Sequence, residues 1–298
     1  MLDPKHKLRS PIKLQGGKGV LRNKVIQHFP AHRVYCEPFG GGASVLFGKA
    51  PSEVEVYNDL DPRPVSVFKV LKDPVLHLAL QRWLWLTPYS RETREFCRTS
   101  WNQDEDLLVQ AYKFMVNSRQ SFGGLLDRTS WGFVTNSTCQ GKAQPVNSWQ
   151  EAIRKLPRVH QRLQNVLIKN QDWRVILDDY DAPDTLFYLD PPYVQDTRRD
   201  GWFKFEMQNR DHTDLVERIV RLKGKVVLSG YRHEVYSVLQ DQHGWRLIER
   251  QRSCLSVART KKTGLQGSGV IKEQQSRVEC LWLNPAVQRS HVEASHCA

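Results

Sequence analysis

The chain has 298 residues and a formal net charge of +12, enough length for one large core with a smaller lobe and a charge balance suited to a polyanionic partner. Residues 1–7 lack the apolar core of a signal peptide and no apolar run reaches transmembrane length, so a cytoplasmic chain with no membrane partner is expected. Six cysteines, at 36, 97, 139, 254, 280 and 297, show neither Cys-x-x-Cys pairing nor metal-ligand spacing with histidine, which argues against a zinc site or a disulfide scaffold and for reduced thiols. Basic charge alone fits an RNA-binding or membrane-surface protein equally well.

The first patterned segment is Lys13-Leu14-Gln15-Gly16-Gly17-Lys18, a flexible glycine pair flanked by lysines and followed by a helix expected over 20–29. Residues 33–36 read as a short strand running into Glu37-Pro38-Phe39-Gly40-Gly41-Gly42 and then a helix; glycines at such a turn let a ligand approach the backbone. The next strand, 53–57, ends at Asn58-Asp59, where an acidic side chain in nucleotide-binding sheets takes ribose hydroxyls. Asp59 also suits a helix N-cap ahead of Pro62.

Residues 74–180 are rich in tryptophan, arginine and helical periodicity, with apolar faces at 76–85, 107–116 and 156–167. This stretch reads as an inserted helical lobe between two parts of one catalytic domain, 1–73 and 181–298. Within it, Arg119, Gln120 and Arg128 offer donors to bases or phosphates where glycines break the helical pattern. Solvated arginines on a plain helical core are the competing reading.

The apolar run 186–189 then leads into Asp190-Pro191-Pro192-Tyr193, at the strand end where open α/β sheets do chemistry. An exocyclic amino group on a nucleobase is a poor nucleophile because its lone pair is delocalised into the ring. A carboxylate from Asp190 and the carbonyl of Pro191, restricted by the prolines, supply two acceptors for its hydrogens, and Tyr193 can stack on the base. A stiff turn with no chemistry is the bland alternative. Two basic segments follow. Residues 195–210 carry Arg198 and Arg199, and 250–277 carry seven basic residues, among them Arg259, Lys261 and Lys262, against one acid, a local balance of +6. A helix starting near Asp211 and strands over 225–229, 245–249 and 278–283 complete the pattern.

In this order the segments resemble the Dam-type DNA adenine-N6 methyltransferases, from about residue 9 to 285, with further matches at 117–124, 211–212, 228–231 and 277–285. The resemblance implies a seven-stranded mixed α/β sheet of the Rossmann-like methyltransferase type, S-adenosylmethionine as methyl donor, no metal, and double-stranded DNA as partner. It also implies transfer to N6 of an adenine flipped out of the duplex. Asp190, Pro191, Pro192 and Tyr193 then hold the target base, and Leu14, Lys18, Glu37, Phe39, Gly40, Gly41, Gly42, Asp59 and Asp190 line the cofactor pocket, with Lys18 at the methionine end and Asp59 on the ribose. The expected DNA contacts are Arg119, Gln120, Arg128, Arg198, Arg199, Arg259, Lys261 and Lys262. Leu14 departs from the family, where an aromatic residue is usual. Two alternatives stay open: cytosine-N4 methylation, against which Asp rather than Ser at 190 argues, and a catalytically silent DNA-binding protein.

Overall fold

The computed structural model describes residues 8–126, 131–132, 138–139, 141–194, 205–253 and 276–296. Seven strands form one mixed sheet in the order β5-β2-β1-β6-β7-β9-β8: β1 (Val34–Glu37), β2 (Val54–Asn58), β5 (Val166–Lys169), β6 (Thr185–Leu189), β7 (Lys225–Tyr231), β8 (Arg246–Ser253) and β9 (Ser276–Leu283). The first five are parallel, and β9 inserts antiparallel between β7 and β8. A two-stranded hairpin, β3 (Thr138–Cys139) and β4 (Lys142–Ala143), stands apart.

Strands β1 and β6 are buried on both faces, as expected of parallel strands covered by helices on either side. Alternate β6 side chains divide the core: Leu186 and Tyr188 join one apolar cluster, while Phe187 and Leu189 join the other. Beneath the second face lie α8 (Trp173–Tyr180), α9 (Asn209–Ile219) and α10 (Glu234–Asp241), through Trp173, Ile176, Leu177, Leu215 and Tyr236.

Over the first face lies α2 (Pro62–Lys72), which begins where the Asp61 carboxylate accepts from the Arg63 amide and Pro62 fills the first helical position. The lobe helices α3 (Leu76–Leu86), α5 (Leu107–Gln120) and α7 (Leu156–Leu163) pack onto it, while α4 (Arg91–Thr99) packs on α5, and α6 (Gln144–Arg154) on α3, α5 and α7. Leu80, Phe114, Met115, Ile153 and Val159 of the lobe belong to the same continuous cluster as Tyr35, Phe47 and Phe68 of the sheet side. The lobe is therefore welded to the sheet by shared apolar burial.

Three expectations change. Residues 166–169, expected to continue a helical stretch, pair with β2 as the edge strand β5, and 173–180 form α8 under the sheet. The helix expected over 156–167 stops at Leu163 for the same reason: the β-branched residues Val166 and Ile168 serve the sheet. After the glycine turn there is a chain of turns over 41–49 in place of a helix, with Ala43 at φ 53°. Gly48 and Pro51 leave too short an uninterrupted stretch there for a cooperative helix. The short helix α1 (Arg22–Ile26) lies inside the expected 20–29, and α11 (Pro285–His296) closes the chain as described. No helix among the described residues is long and apolar enough to cross a membrane.

Candidate active site

The connection leaving β1 runs to β2 on one side, whereas β6 flanks β1 on the other, so the chain reverses its winding between β1 and β6. A crevice opens at such a point beyond the carboxyl ends of the strands. Here it is a cavity of about 350 Å³ lined from both sides, by Glu37 to Gly42 after β1, Asn58 to Asp61 after β2, Gln171 to Arg174 after β5, and Asp190 to Tyr193 after β6. Leu14 to Lys18 and Gly124 to Leu126 close it from above, and Tyr231 borders it at the end of β7. That volume lies in the range of small-molecule sites.

The glycine turn is shaped by close approach. A Cβ on Gly40 would lie 2.2 Å from the Tyr57 ring and 3.0 Å from the Asn58 carbonyl, and the Gly40 amide donates to that carbonyl at 2.7 Å. Gly41 takes φ +46°; its amide donates to Asp59 Oδ2 at 2.6 Å and its carbonyl accepts from the Tyr57 hydroxyl at 2.8 Å. Leu14 packs on this turn, its Cδ1 3.5 Å from where a Gly41 Cβ would stand. The buried Asn58 side chain donates to the carbonyls of Pro38 and Gln171 and accepts from the Gln171 amide, tying three strand ends together. Asp61, rather than Asp59, is the helix cap, which leaves Asp59 facing the cavity.

Two acidic groups that line the cavity are displaced from their ordinary values. Burial pushes the Glu37 carboxyl up to about 8, with the Tyr35 hydroxyl donating to it at 3.1 Å and the nearby Asp190 charge adding to the shift. Burial likewise raises Asp59 to about 7, against the pull of the Asp61 and Gly41 amides.

Lys18 reaches the Asp-Pro-Pro-Tyr motif. Its ammonium, 5 % exposed, lies 2.9 Å from Asp190 Oδ1, donates to the Tyr193 hydroxyl, and stands 3.9 Å from Glu279 Oε2. Burial alone lowers an ammonium's pKa, but Asp190, Tyr193 and the other acids around it prevail and hold Lys18 well above its usual value. For Asp190, burial pushes the carboxyl up against the pull of Lys18. The Tyr193 ring meets Tyr231 edge-on at 4.4 Å.

All the cofactor-side and motif residues expected from sequence, Leu14, Lys18, Glu37, Phe39, Gly40, Gly41, Gly42, Asp59 and Asp190 to Tyr193, line this one cavity. The DNA set fares differently. Gln120 is fully buried, its amide donating to the Pro88 carbonyl and accepting from the Ser90 amide, so its side chain frames the lobe and is withdrawn from any surface contact. The Arg119 guanidinium, half-buried, donates to the Ser148 carbonyl and hydroxyl. Arg128, Arg198, Arg199, Arg259, Lys261 and Lys262 lie outside the described residues.

Sequence reasoning gave no site role to several lining groups. Tyr188 is 1 % exposed, and its hydroxyl, beside the cavity, has no hydrogen-bond partner among the described residues. Trp173 stacks obliquely on Phe39 at 5.8 Å, the Arg174 guanidinium lies over the Trp173 ring at 4.4 Å from its centre, and Arg174 clamps Asp172, Asp211 and Asp214. Asp211 stands at the third position of α9, accepting from the Gln208 amide as the return half of a capping box. No group of histidine, cysteine and acidic residues that could hold a metal occurs among the described residues.

No curated protein matches the chain at a stringent level of similarity. A family model does, over residues 15–254, which takes in the Gly-Gly-Lys segment, the glycine turn, the lobe and the Asp-Pro-Pro-Tyr motif and stops short of β9. The chain belongs to the D12 class of N6 adenine-specific DNA methyltransferases.

Proposed function

We propose that this adenine-N6 methyltransferase uses S-adenosylmethionine, acts at a defined short sequence in duplex DNA, and swings the target adenine out of the helix into the space between Asp190 and Tyr193. The observation that carries the reading is the single cavity joining Glu37 and Asp59 to Asp190 across the winding reversal between β1 and β6. A base stacked in a duplex cannot present its amino group to a carboxylate at the floor of such a cavity, so extrusion is required.

The residues present fit the methyl donor. Glu37, able to ionise beside a cation, suits its ammonium; Asp59 suits ribose hydroxyls; the Phe39–Trp173 pair offers aromatic faces for a purine; and the Tyr188 hydroxyl, without a partner among the described residues, offers a further hydrogen bond. When bound, this cofactor supplies an electrophilic methyl on a sulfonium. The chain's own task is orientation and polarisation. Asp190 and the Pro191 carbonyl accept from the two amino hydrogens and localise the nitrogen lone pair, and Tyr193 holds the ring against Tyr231. The geometry favours Lys18 as partner of the catalytic motif over a sole role at the methionine end.

The lobe over 74–165 is the proposed recognition element, with Arg119 near its turn and the basic segments around 198–199 and 259–262 as phosphate contacts. Gln120 is left out. A DNA substrate supports the cytoplasmic reading. Calorimetric titration with S-adenosylmethionine tests the cofactor assignment: saturable binding that is lost in Asp59→Ala is expected, and unchanged binding in that variant contradicts it.

A further inference from the structure

Lys18 stands between two carboxylates that come from opposite ends of the second half of the chain: Asp190 at 2.9 Å and Glu279 at 3.9 Å. Glu279 lies on β9, opposite Tyr231 in the β7–β9 ladder, and Tyr231 in turn meets the Tyr193 ring. It is 9 % exposed. It lies beyond residues 15–254 covered by the family model, within the 277–285 stretch that resembles the family, and none of the roles assigned above falls to it.

Both the Lys18 ammonium and the target amino group are donors, and both seek the same acceptor on Asp190. A carboxylate committed to an ammonium has less electron density to offer a second donor. The amino nitrogen also becomes positive as it bonds to the methyl carbon while the carbon–sulfur bond of the donor breaks, until it gives up one proton to solvent, so an ammonium held against Asp190 opposes the reaction directly. With Asp190 and Glu279 ionised around one ammonium, the trio carries a net negative charge, and an ammonium has three N–H donors to distribute.

We propose that Glu279 is a positioning residue for methyl transfer: it takes up the Lys18 ammonium as the target amino group engages Asp190, leaving the Asp190 carboxylate free to polarise the base. The inference rests on the assignment of Asp190 to the target amino group. Lys18 thereby keeps Asp190 paired before DNA arrives, and Glu279 keeps Lys18 paired afterwards, so no buried charge is left alone at either stage.

The test is single-turnover transfer of labelled methyl to unmethylated duplex DNA at saturating donor and DNA, for the wild-type protein, Glu279→Gln and Glu279→Asp, with separate titrations of S-adenosylmethionine and DNA. Glu279→Gln is expected to lose about tenfold or more in rate while both affinities stay within about twofold, and Glu279→Asp, which keeps the charge, to stay within about threefold of wild type. A wild-type rate in Glu279→Gln overturns the proposal. So does an equal loss in Glu279→Asp, or a Glu279→Gln protein that is unfolded or has lost donor affinity, since Glu279 then serves the sheet and not Lys18. Failure of the wild-type protein itself to transfer methyl overturns the underlying assignment instead, and is thereby told apart.

Discussion

The Lys18 ammonium lies 2.9 Å from the Asp190 carboxylate, so the segment preceding the first helix is tied by a buried ion pair to the motif that ends β6. Asp190→Asn keeps the shape and removes the charge. Transfer is expected to fall on the order of 10³-fold, because the amide cannot polarise the target amino group as a carboxylate does. The fold persists, since Glu279 still faces Lys18, at a cost of about 1–3 kcal/mol in a denaturant melt. Wild-type turnover in the folded variant contradicts the role.

Gly40 and Gly42 differ in the space behind them. A Gly40→Ala methyl meets the Tyr57 ring at 2.2 and 2.4 Å, and is expected to destabilise the protein by about 1–3 kcal/mol and to weaken donor binding. The Gly42 position has its nearest neighbour at 3.4 Å, in ordinary contact, so Gly42→Ala is expected to change stability by less than about 0.5 kcal/mol. Equal melting midpoints for the two variants contradict the close-approach account of the turn.

Tyr188→Phe removes a buried hydroxyl that no described residue satisfies. The unliganded protein is expected to keep or slightly gain stability, whereas affinity for S-adenosylmethionine falls about three- to tenfold, the worth of one hydrogen bond. Unchanged affinity removes Tyr188 from the binding set.

Glu37 and Asp59 make stability and binding pH-dependent in opposite senses. Both carboxyls are raised in the folded state, Glu37 from 4.5 to about 8 and Asp59 from 3.8 to about 7, so the folded protein holds protons that the unfolded chain has released. Their stabilising contribution is complete below the unfolded values and declines as pH rises to about 8 for Glu37 and about 7 for Asp59. A donor that prefers both groups ionised binds more tightly over the same rise and releases protons. Calorimetry in buffers of different ionisation enthalpy reads this release directly, and Glu37→Gln should remove the part that extends to pH 8. A donor affinity that is flat with pH contradicts it.

Much of this site is legible in the sequence because its residues sit at strand ends in short, punctuated motifs: Asp190 to Tyr193 after an apolar run, Glu37 to Gly42 before a turn, Asp59 after an alternating strand. Other groups carry no local signature of their role. Tyr188 and Glu279 look like ordinary strand residues, and only the sheet order brings β9 beside β7 and so Glu279 to Lys18. Gln120 looks like a surface donor in a basic, glycine-broken segment, yet its amide is consumed by two backbone groups across the lobe. The edge strand 166–169 is hard to read because it and the amphipathic helix 173–180 continue the preceding helical pattern while their partners lie far away in sequence.

The proposal that the basic segment 250–277 contacts DNA phosphates rests on its charge. Neutralising Arg259, Lys261 and Lys262 together is expected to weaken binding across all sequences and to reduce the slope of log affinity against log salt by up to about 3. An unchanged slope places the phosphate contacts elsewhere.

The most direct test is to incubate the purified protein with labelled S-adenosylmethionine and unmethylated duplex DNA, identify the product by nucleoside mass spectrometry and map the modified positions. N6-methyladenine confined to one short sequence is the expected result. N4-methylcytosine, or no methylated base at all despite binding of donor and DNA, contradicts the assignment of Asp190 and its cavity to adenine methylation.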